Sequence, residues 1–421
     1  MNFFEVRDGE LWCEGVPLSR IAHEVGTPVY VYSTATLERH YTVFQDAFAP
    51  RKVLVAYAVK ANSNVSVLKT LARLGAGADT VSEGEIRRAL AAGVPPSRIV
   101  FSGVGKTRRE LAFAVELGVA EINVESEPEI DLLSEVAALL DARPKITIRV
   151  NPDVSAGGHA KIATGKSENK FGVSFSEAER LYAKASADPN LDPIGVACHI
   201  GSQITDLAPM AEAFAKMRGL VERLRGQGLT VERLDLGGGL GAPYFDSPAP
   251  PEPAQFARMV ETVLEGLDID LVFEPGRVIA ANAGVLLSRV IHVHERPEGR
   301  RFLVVDGAMN DLVRPAMYDA FHDIRPVKTP RTGANLSAFD VVGPVCETGD
   351  TFCRDRELPP LEAGDLVAFM TAGAYGAAMS SEYNTRPLAP EVLVKGNQYA
   401  VVRPRPTYEE MLAREPLAPW L

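Results

Sequence analysis

The chain has 421 residues, of which 46% are hydrophobic and 24% charged, with a formal net charge of −11. That length exceeds one typical domain, and the acidic balance excludes general binding to nucleic acid or anionic membranes. No apolar run approaches the roughly 20 residues a bilayer span needs, and four scattered cysteines (Cys13, Cys198, Cys346, Cys353) without C-x-x-C spacing exclude a disulfide framework. The opening MNFFEVRDGELW carries acids early and no basic n-region before an apolar core, so no signal peptide is expected. A reducing cytoplasm is the expected location.

Residues 1 to about 34 read as short strands and a helix, LSRIAHEVGTP, that stops at Gly26 and Pro28. Short apolar strands then alternate with longer segments of helical period, the pattern of parallel β/α units. The strands are Val53–Val59, Ala78–Thr80, Ile99–Ser102, Glu121–Val124, Ile146–Val150, Ile194–His199, Arg233–Leu236 and Leu271–Glu274. The helices between them start at expected capping boxes, Ser82 with Glu85 and Thr107 with Glu110, and stop near Gly75, Gly93 and Gly118. Eight such units over about 240 residues have the size of a (β/α)8 barrel, with an open doubly wound sheet as competitor. From about Val278 the texture changes to strand-like runs broken by Gly, Pro and Asp, from VLLSRVIHVHE to EVLVKGNQYAVVRP. The expected organisation is a barrel over residues 35–280 and an all-β domain formed by 281–421 and completed by 1–34.

In such a barrel, chemistry collects at the carboxyl ends of the strands. Strand one, RKVLVAYAVKANSN, is an uncharged β-prone run ending in Lys60. A lysine withdrawn from water loses proton affinity and becomes a usable nucleophile, although an ordinary lysine reaching solvent is the plain alternative. The other strand ends present Asp79, Arg149 with Asn151, His199 in CHIGSQ, the triple glycine Gly237–Gly239, and Glu274 in EPGR. The glycines suit backbone N–H groups closing on a phosphate, or simply a tight turn. His199 alone reads as a core histidine and Glu274 alone as a cap. Glu274 gains meaning as the acid facing the ring nitrogen of pyridoxal 5'-phosphate (PLP).

Three motifs are decoys. SGVGKT follows a strand, but Val100 stands where a P-loop needs its first glycine. GGGLGA loosely fits a dinucleotide turn, yet Pro243 follows where a helix should open. His292 and His294 share a strand face without a third ligand, so no metal site is expected.

The ordered set YAVKAN, GADTVSEGE, HIGSQ, DLGGGLG, EPGR, RPAMYDA, CET and GAYGAAMSSEYN resembles the fold-type III, PLP-dependent amino-acid decarboxylases over nearly the whole chain. HAKIATGKSENKFG is similar to that family's loop after strand five. The resemblance implies a homodimer with composite active sites, a small amino-acid substrate and PLP as cofactor. It implies that Lys60 carries PLP as a Schiff base, that His199 stacks on the ring and that Glu274 pairs with the ring nitrogen. Asp79, Ser202, Gly238, Gly239, Gly276, Arg277 and Tyr375 would complete cofactor binding. Arg277, Arg314, Tyr318 and Tyr375 would contact the far end of the substrate, Glu347 would grip its distal ammonium, and Cys346 would donate a proton. Without the resemblance, Cys346 reads as buried packing and Tyr375 as a loop aromatic.

The implied reaction is decarboxylation of meso-2,6-diaminopimelate to L-lysine and CO2. Decarboxylases of ornithine, lysine or arginine are the nearest rivals, but their substrates give Arg277 and Arg314 no distal carboxylate to bind. An alanine racemase would not use the Cys346–Glu347 pair, and a non-catalytic PLP-binding protein would not need it.

Overall fold

A computed structural model describes residues 2–155, 169–244, 249–329 and 335–421. Residues 159–168, HAKIATGKSE, lie outside the described residues, and with them most of the loop singled out after strand five. The chain divides into two compact units, one of Glu38–Pro243 with Pro248–Ile279, the other of Met1–Leu37 with Tyr244–Ser247 and Ala280–Leu421.

In the Glu38–Ile279 unit, eight parallel strands close on themselves. They are Val53–Ala58, Gly77–Thr80, Ile99–Phe101, Glu121–Val124, Lys145–Asn151, Asp192–Ala197, Arg233–Asp235 and Asp270–Phe273. Each pairs with the next, and the eighth returns to the first through Leu271–Val53, Val272–Leu54 and Phe273–Val55. That closure makes the sheet a barrel and rules out the open competitor. The runs are short and almost wholly buried because barrel strands are covered on both faces, by side chains within and helices without.

Helix starts follow local chemistry. Thr107 and Glu110 form a reciprocal capping box at the head of Arg108–Leu117. Ser82 accepts from the Glu85 N–H at the head of Glu83–Ala91, but the Glu85 carboxylate takes the N–H of Val81. The second expected box is therefore one-sided. Outside the eighth strand, Phe48 stacks on Phe273 at 4.3 Å, and Phe44 and Phe256 meet the same ring edge-on at 5.9 and 5.7 Å. This aromatic seam ties the helices Thr34–Asp46 and Pro253–Val263 to the strand that completes the ring.

The other unit is built on a mixed sheet. Its long strand Gly284–Glu295 pairs with Arg301–Val305, with Leu366–Phe369 and with the N-terminal strand Val29–Ser33. Val29–Ser33 also runs parallel to Glu391–Lys395, so the chain's beginning completes the sheet made by its end. Val29, Val31, Val285, Leu287, Ala368, Val392 and Val394 form its apolar core. The all-β reading misses two helices, Arg314–Tyr318 and Tyr408–Leu412. Five residues are too few to show a helical period, and the signals that were present are a proline at the start of one and the Thr407–Glu410 capping box of the other.

Phe273→Ala is expected to destabilise the barrel by about 3–5 kcal/mol, since a fully buried ring at the centre of the seam leaves a cavity. Val43→Ala, at a half-exposed site, should stay within about 0.5 kcal/mol. Urea unfolding followed by circular dichroism of the helices compares the two, and equal losses would show that the seam does not hold the barrel.

Candidate active site

The lysine of the first strand does not end the strand itself. The strand stops at Ala58, and a turn of 3-10 helix, Val59–Ala61, carries Lys60. Two asparagines shape the backbone just beyond that turn. Asn62 Oδ1 accepts the Asn64 N–H at 3.1 Å, and Asn64 caps the helix Val65–Ala72 by accepting the Ser66 N–H. The Lys60 side chain is 38% exposed rather than buried as the strand reading expects, and its Nζ lies 2.5 Å from Asp79 Oδ2. Asp79 comes from the neighbouring strand and is fully buried; its second oxygen has no hydrogen-bond partner among the described residues.

The ends of strands six, seven and eight are laced together around the triple glycine. Gly237 and Gly239 adopt positive φ of 64° and 115°, open to glycine at little strain. A Cβ on Gly238 would stand 2.3 Å from the Glu274 carbonyl, so only glycine lets the two strand ends approach. The Gly238 N–H donates to His199 Nδ1 at 3.1 Å, and the Glu274 N–H donates to the Gly237 carbonyl at 2.7 Å. Burial, with the cations Arg149 and Lys60 adding, pushes the His199 pKa well below its usual value. The imidazole is thus neutral, with Nδ1 accepting and the proton on Nε2.

Glu274 and Asp235 are both buried just past the eighth strand and at the end of the seventh. Asn123 Nδ2, from the fourth strand, donates to Ser102 Oγ at 3.0 Å and Asp235 Oδ2 at 3.1 Å, and lies 3.5 Å from Glu274 Oε1. Burial first, then the Asp235 charge, then Asp79, holds the Glu274 carboxyl well above the usual carboxylate range. Asp235 is itself pushed up to about 6, mainly by burial. Neither Asp235, Asn123 nor Ser102 was singled out in the sequence; an aspartate before a glycine turn reads simply as a strand end.

Arg277 opens the short helix Arg277–Ala280, is buried, and donates from Nε and Nη2 to Ser202 Oγ at 3.2 and 3.1 Å. A Cβ on Gly276 would press on Ala58 and Ala61 at 3.0 Å, which brings the Glu274–Arg277 turn against the Lys60 turn. Arg149 sits in the fifth strand and pairs with Glu125 at 2.9 Å. The barrel unit therefore gathers Lys60, Asp79, His199, Ser202, Gly238, Gly239, Glu274, Gly276 and Arg277 at the carboxyl ends of its strands.

The remaining candidates belong to the sheet unit. Arg314 is buried, donates from Nη1 to His322 Nε2 at 2.9 Å and lies 4.8 Å over the Tyr244 ring. His322 Nδ1 faces the Met370 carbonyl at 2.9 Å and so carries its proton there, leaving Nε2 to accept. Tyr318 ends the same short helix, and Tyr375 takes a left-handed φ of 56°. Cys346 is exposed, contrary to the packing reading, because the strand Ser337–Val342 ends before it. Asn384 Nδ2 contacts its Sγ at 3.1 Å, and Glu347 accepts the Tyr383 hydroxyl at 3.0 Å.

The decoys resolve differently. Lys106 of SGVGKT is buried, with Nζ donating to Gly103 O, Asn123 O and Glu129 Oε1 at 2.8, 2.6 and 2.7 Å. Those contacts occupy the ammonium, leaving it no part in a phosphate loop. His292 and His294 are exposed on their strand. Among the described residues no group of three His, Cys, Asp or Glu is placed to hold a metal, and no helix is long and apolar enough to cross a membrane.

Residues 34–281 match the family model described as pyridoxal-dependent decarboxylase, pyridoxal binding domain. The chain belongs to this family of PLP-dependent decarboxylases. It is 52% identical over 419 residues to a diaminopimelate decarboxylase of Pseudomonas aeruginosa, covering 100% of both chains. Among solved structures, a diaminopimelate decarboxylase of M. jannaschii in complex with L-lysine superposes with a TM-score of 0.94 at 35% identity, covering 99% of this chain and 98% of that one. That of Helicobacter pylori complexed with L-lysine gives 0.90 at 40%, covering 94% and 99%. The cofactor of the family is PLP, and the residues here fit it. The orphaned Asp79 oxygen, the glycine cradle that a Cβ would fill and the buried Glu274 carboxyl are each suited to one part of that molecule.

Buried carboxyls with raised pKa bind protons more tightly folded than unfolded, so the stability they contribute is present at low pH and lost as pH rises. For Asp235, pushed up to about 6, and Glu121, pushed up to about 7 mainly by burial, the window runs upward from about pH 4. Cofactor-free protein should therefore lose stability between about pH 4 and pH 7. Thermal melts across that range check it, and a Tm that climbs steadily instead would contradict it.

Proposed function

We propose that this chain decarboxylates meso-2,6-diaminopimelate to L-lysine and CO2. The observation carrying the reading is Lys60 paired with buried Asp79 at the same barrel end as Glu274, neutral His199 and the glycine turn. The relatives that share this whole chain bear the name of that enzyme. The domains would be 35–280 and 1–34 with 281–421, working as a homodimer in the cytoplasm.

Lys60 would hold the cofactor covalently, with Asp79 keeping the ammonium placed until then. Ser202, Gly238, Gly239, Gly276, Arg277 and Tyr375 would bind its phosphate through hydroxyls, backbone N–H groups and charge. His199, being neutral, can lie against the ring without competing with the positive charge there. Glu274 would face the ring nitrogen. When bound, PLP draws into its ring the electron pair that departing CO2 leaves behind.

The protein's part is to orient and to move a proton. The bond to be broken must stand perpendicular to the ring, so the substrate is clamped at its far end. Arg277, Arg314 and Tyr318 would bind the distal carboxylate and Glu347 the distal ammonium, together reading a D-configured centre. Cys346 would return a proton from Sγ to the carbon that lost CO2, its sulfur fixed by Asn384. Cys346 and Glu347 would serve the cofactor of the partner subunit, giving two equivalent composite sites.

Lys60→Ala is expected to lose the visible absorption of bound PLP and all activity. Exchanged with an inactive Cys346→Ala chain, it should regain part of the activity, because one composite site per mixed dimer is intact. Recovery absent despite proven exchange would contradict shared sites.

Two arginines and one glutamate match a far end that carries both charges. L-lysine lacks the carboxylate and would leave those arginines unpaired, so wild-type kcat/KM for meso-diaminopimelate should exceed that for L-lysine or ornithine by roughly 10^4-fold or more. Arg314→Ala should narrow the gap, chiefly by losing activity on diaminopimelate. Comparable wild-type rates on lysine would sink the assignment.

A further inference from the structure

The carboxyl pair at the closing strands does more than the proposed reaction asks of it. Asp235 and Glu274 are both buried and meet at one amide, Asn123 Nδ2, which lies 3.1 Å from Asp235 Oδ2 and 3.5 Å from Glu274 Oε1, and two like charges buried so close do not both persist. The pair therefore holds one proton, and the neighbours decide where. Asp235 Oδ1 accepts the Gly237 N–H at 2.8 Å and its Oδ2 accepts Asn123 Nδ2 at 3.1 Å, two donors of ordinary length that favour the anion. Glu274 Oε1 meets the longer approaches of Ser102 Oγ at 3.4 Å and Asn123 Nδ2 at 3.5 Å. The charge rests on Asp235 and the proton on Glu274.

We propose that Asp235 is a positioning residue, a fixed anion behind Glu274 whose charge favours the protonated form of the ring nitrogen that Glu274 faces. This rests on the assignment of Glu274 to that nitrogen. The exchange balances without any co-reactant. Glu274 gives its proton to the ring nitrogen, the O–H bond breaks as the N–H bond forms, and Asp235 keeps its charge throughout. Other charged groups surround the pair. Asp79 with Lys60 stands on the first two strands, the Glu121–Arg233 ion pair crosses from the fourth to the seventh, and Arg149 comes from the fifth. Asp79 adds to the repulsion that keeps Glu274 protonated, whereas Lys60 opposes it. The raised pKa values of both carboxyls agree with the geometry.

Two measurements test this in Asp235→Asn, wild type and Glu274→Gln. In cofactor-free protein, the fall in Tm with rising pH should be smaller in both variants, because neither retains a shared proton. In loaded protein, the 15N shift of ring-labelled PLP reports protonation of the nitrogen directly. Its midpoint in Asp235→Asn should move down by about one pH unit or more. A wild-type pH profile of Tm in Asp235→Asn would overturn the shared proton. An unchanged nitrogen midpoint in Asp235→Asn beside a shifted one in Glu274→Gln would overturn the proposal alone. An unchanged midpoint in both would overturn the assignment of Glu274 on which it rests. If Asp235→Asn yields no folded protein, Asn123→Ala removes the donor that anchors the anion. It should then lower the nitrogen midpoint in the same sense, and failure to do so would count against the proposal equally.

Discussion

Buried carboxyl groups crowd the carboxyl end of this barrel around one partly exposed ammonium. Asp79, Asp235 and Glu274 are all within the protein, and Lys60 makes a direct pair with the first of them. Buried like charges cannot all persist, so the arrangement needs protons, donors or a cationic guest to hold it. Asn123, Ser102 and the Gly237 N–H supply donors, and one Asp79 oxygen stays unspent as an acceptor among the described residues. A cofactor with a cationic ring nitrogen and an aldehyde meets both needs. The barrel unit is thus electrostatically incomplete in the way a cofactor-binding protein should be.

The eight strands were legible because most are short Val- and Ile-rich runs, and the two without either residue, at Gly77–Thr80 and Arg233–Asp235, are placed by their regular spacing between helical segments. Glu121–Val124 matches to the residue, and the others shift by one or two positions at an end. Those small shifts matter most at Lys60. Its run reads as strand through Val59, but the chain winds into a turn there, and the Asn62 and Asn64 side chains bond backbone N–H groups just beyond it. The polar interior of the barrel was not legible at all. Asn123 and Ser102 lie within or beside apolar strands, and nothing local distinguishes a polar residue facing the centre from one facing a helix. Lys106 shows the opposite failure. Its motif advertises a phosphate, yet its destination depends on Glu129, one helix away.

The sheet unit was legible in outline but not in detail. Its N-terminal strand could be expected to complete the sheet, since VYVYS is too apolar to stand alone. The exposure of Cys346 could not, because VVGPVCET reads as one strand. Asp350 decides the matter: its carboxylate accepts the backbone N–H groups of Met309 and Val345, both at 2.6 Å, and draws the chain into a turn beyond Val342. A long-range hydrogen bond of that kind leaves no periodicity to read.

The strand that leads to Lys60 changes partners at its midpoint. Val53 to Val55 pair with the last barrel strand, and Ala56 to Ala58 pair with the second. During synthesis the second strand follows within about twenty residues, whereas the eighth arrives only after residue 270 has left the ribosome. Until then, the first half of the strand has an open edge, which is a template for wrong pairing. The same final strand delivers Glu274. A nascent chain thus acquires Lys60 early and Glu274 last, so the carboxyl end of the barrel is completed late in the birth of the molecule.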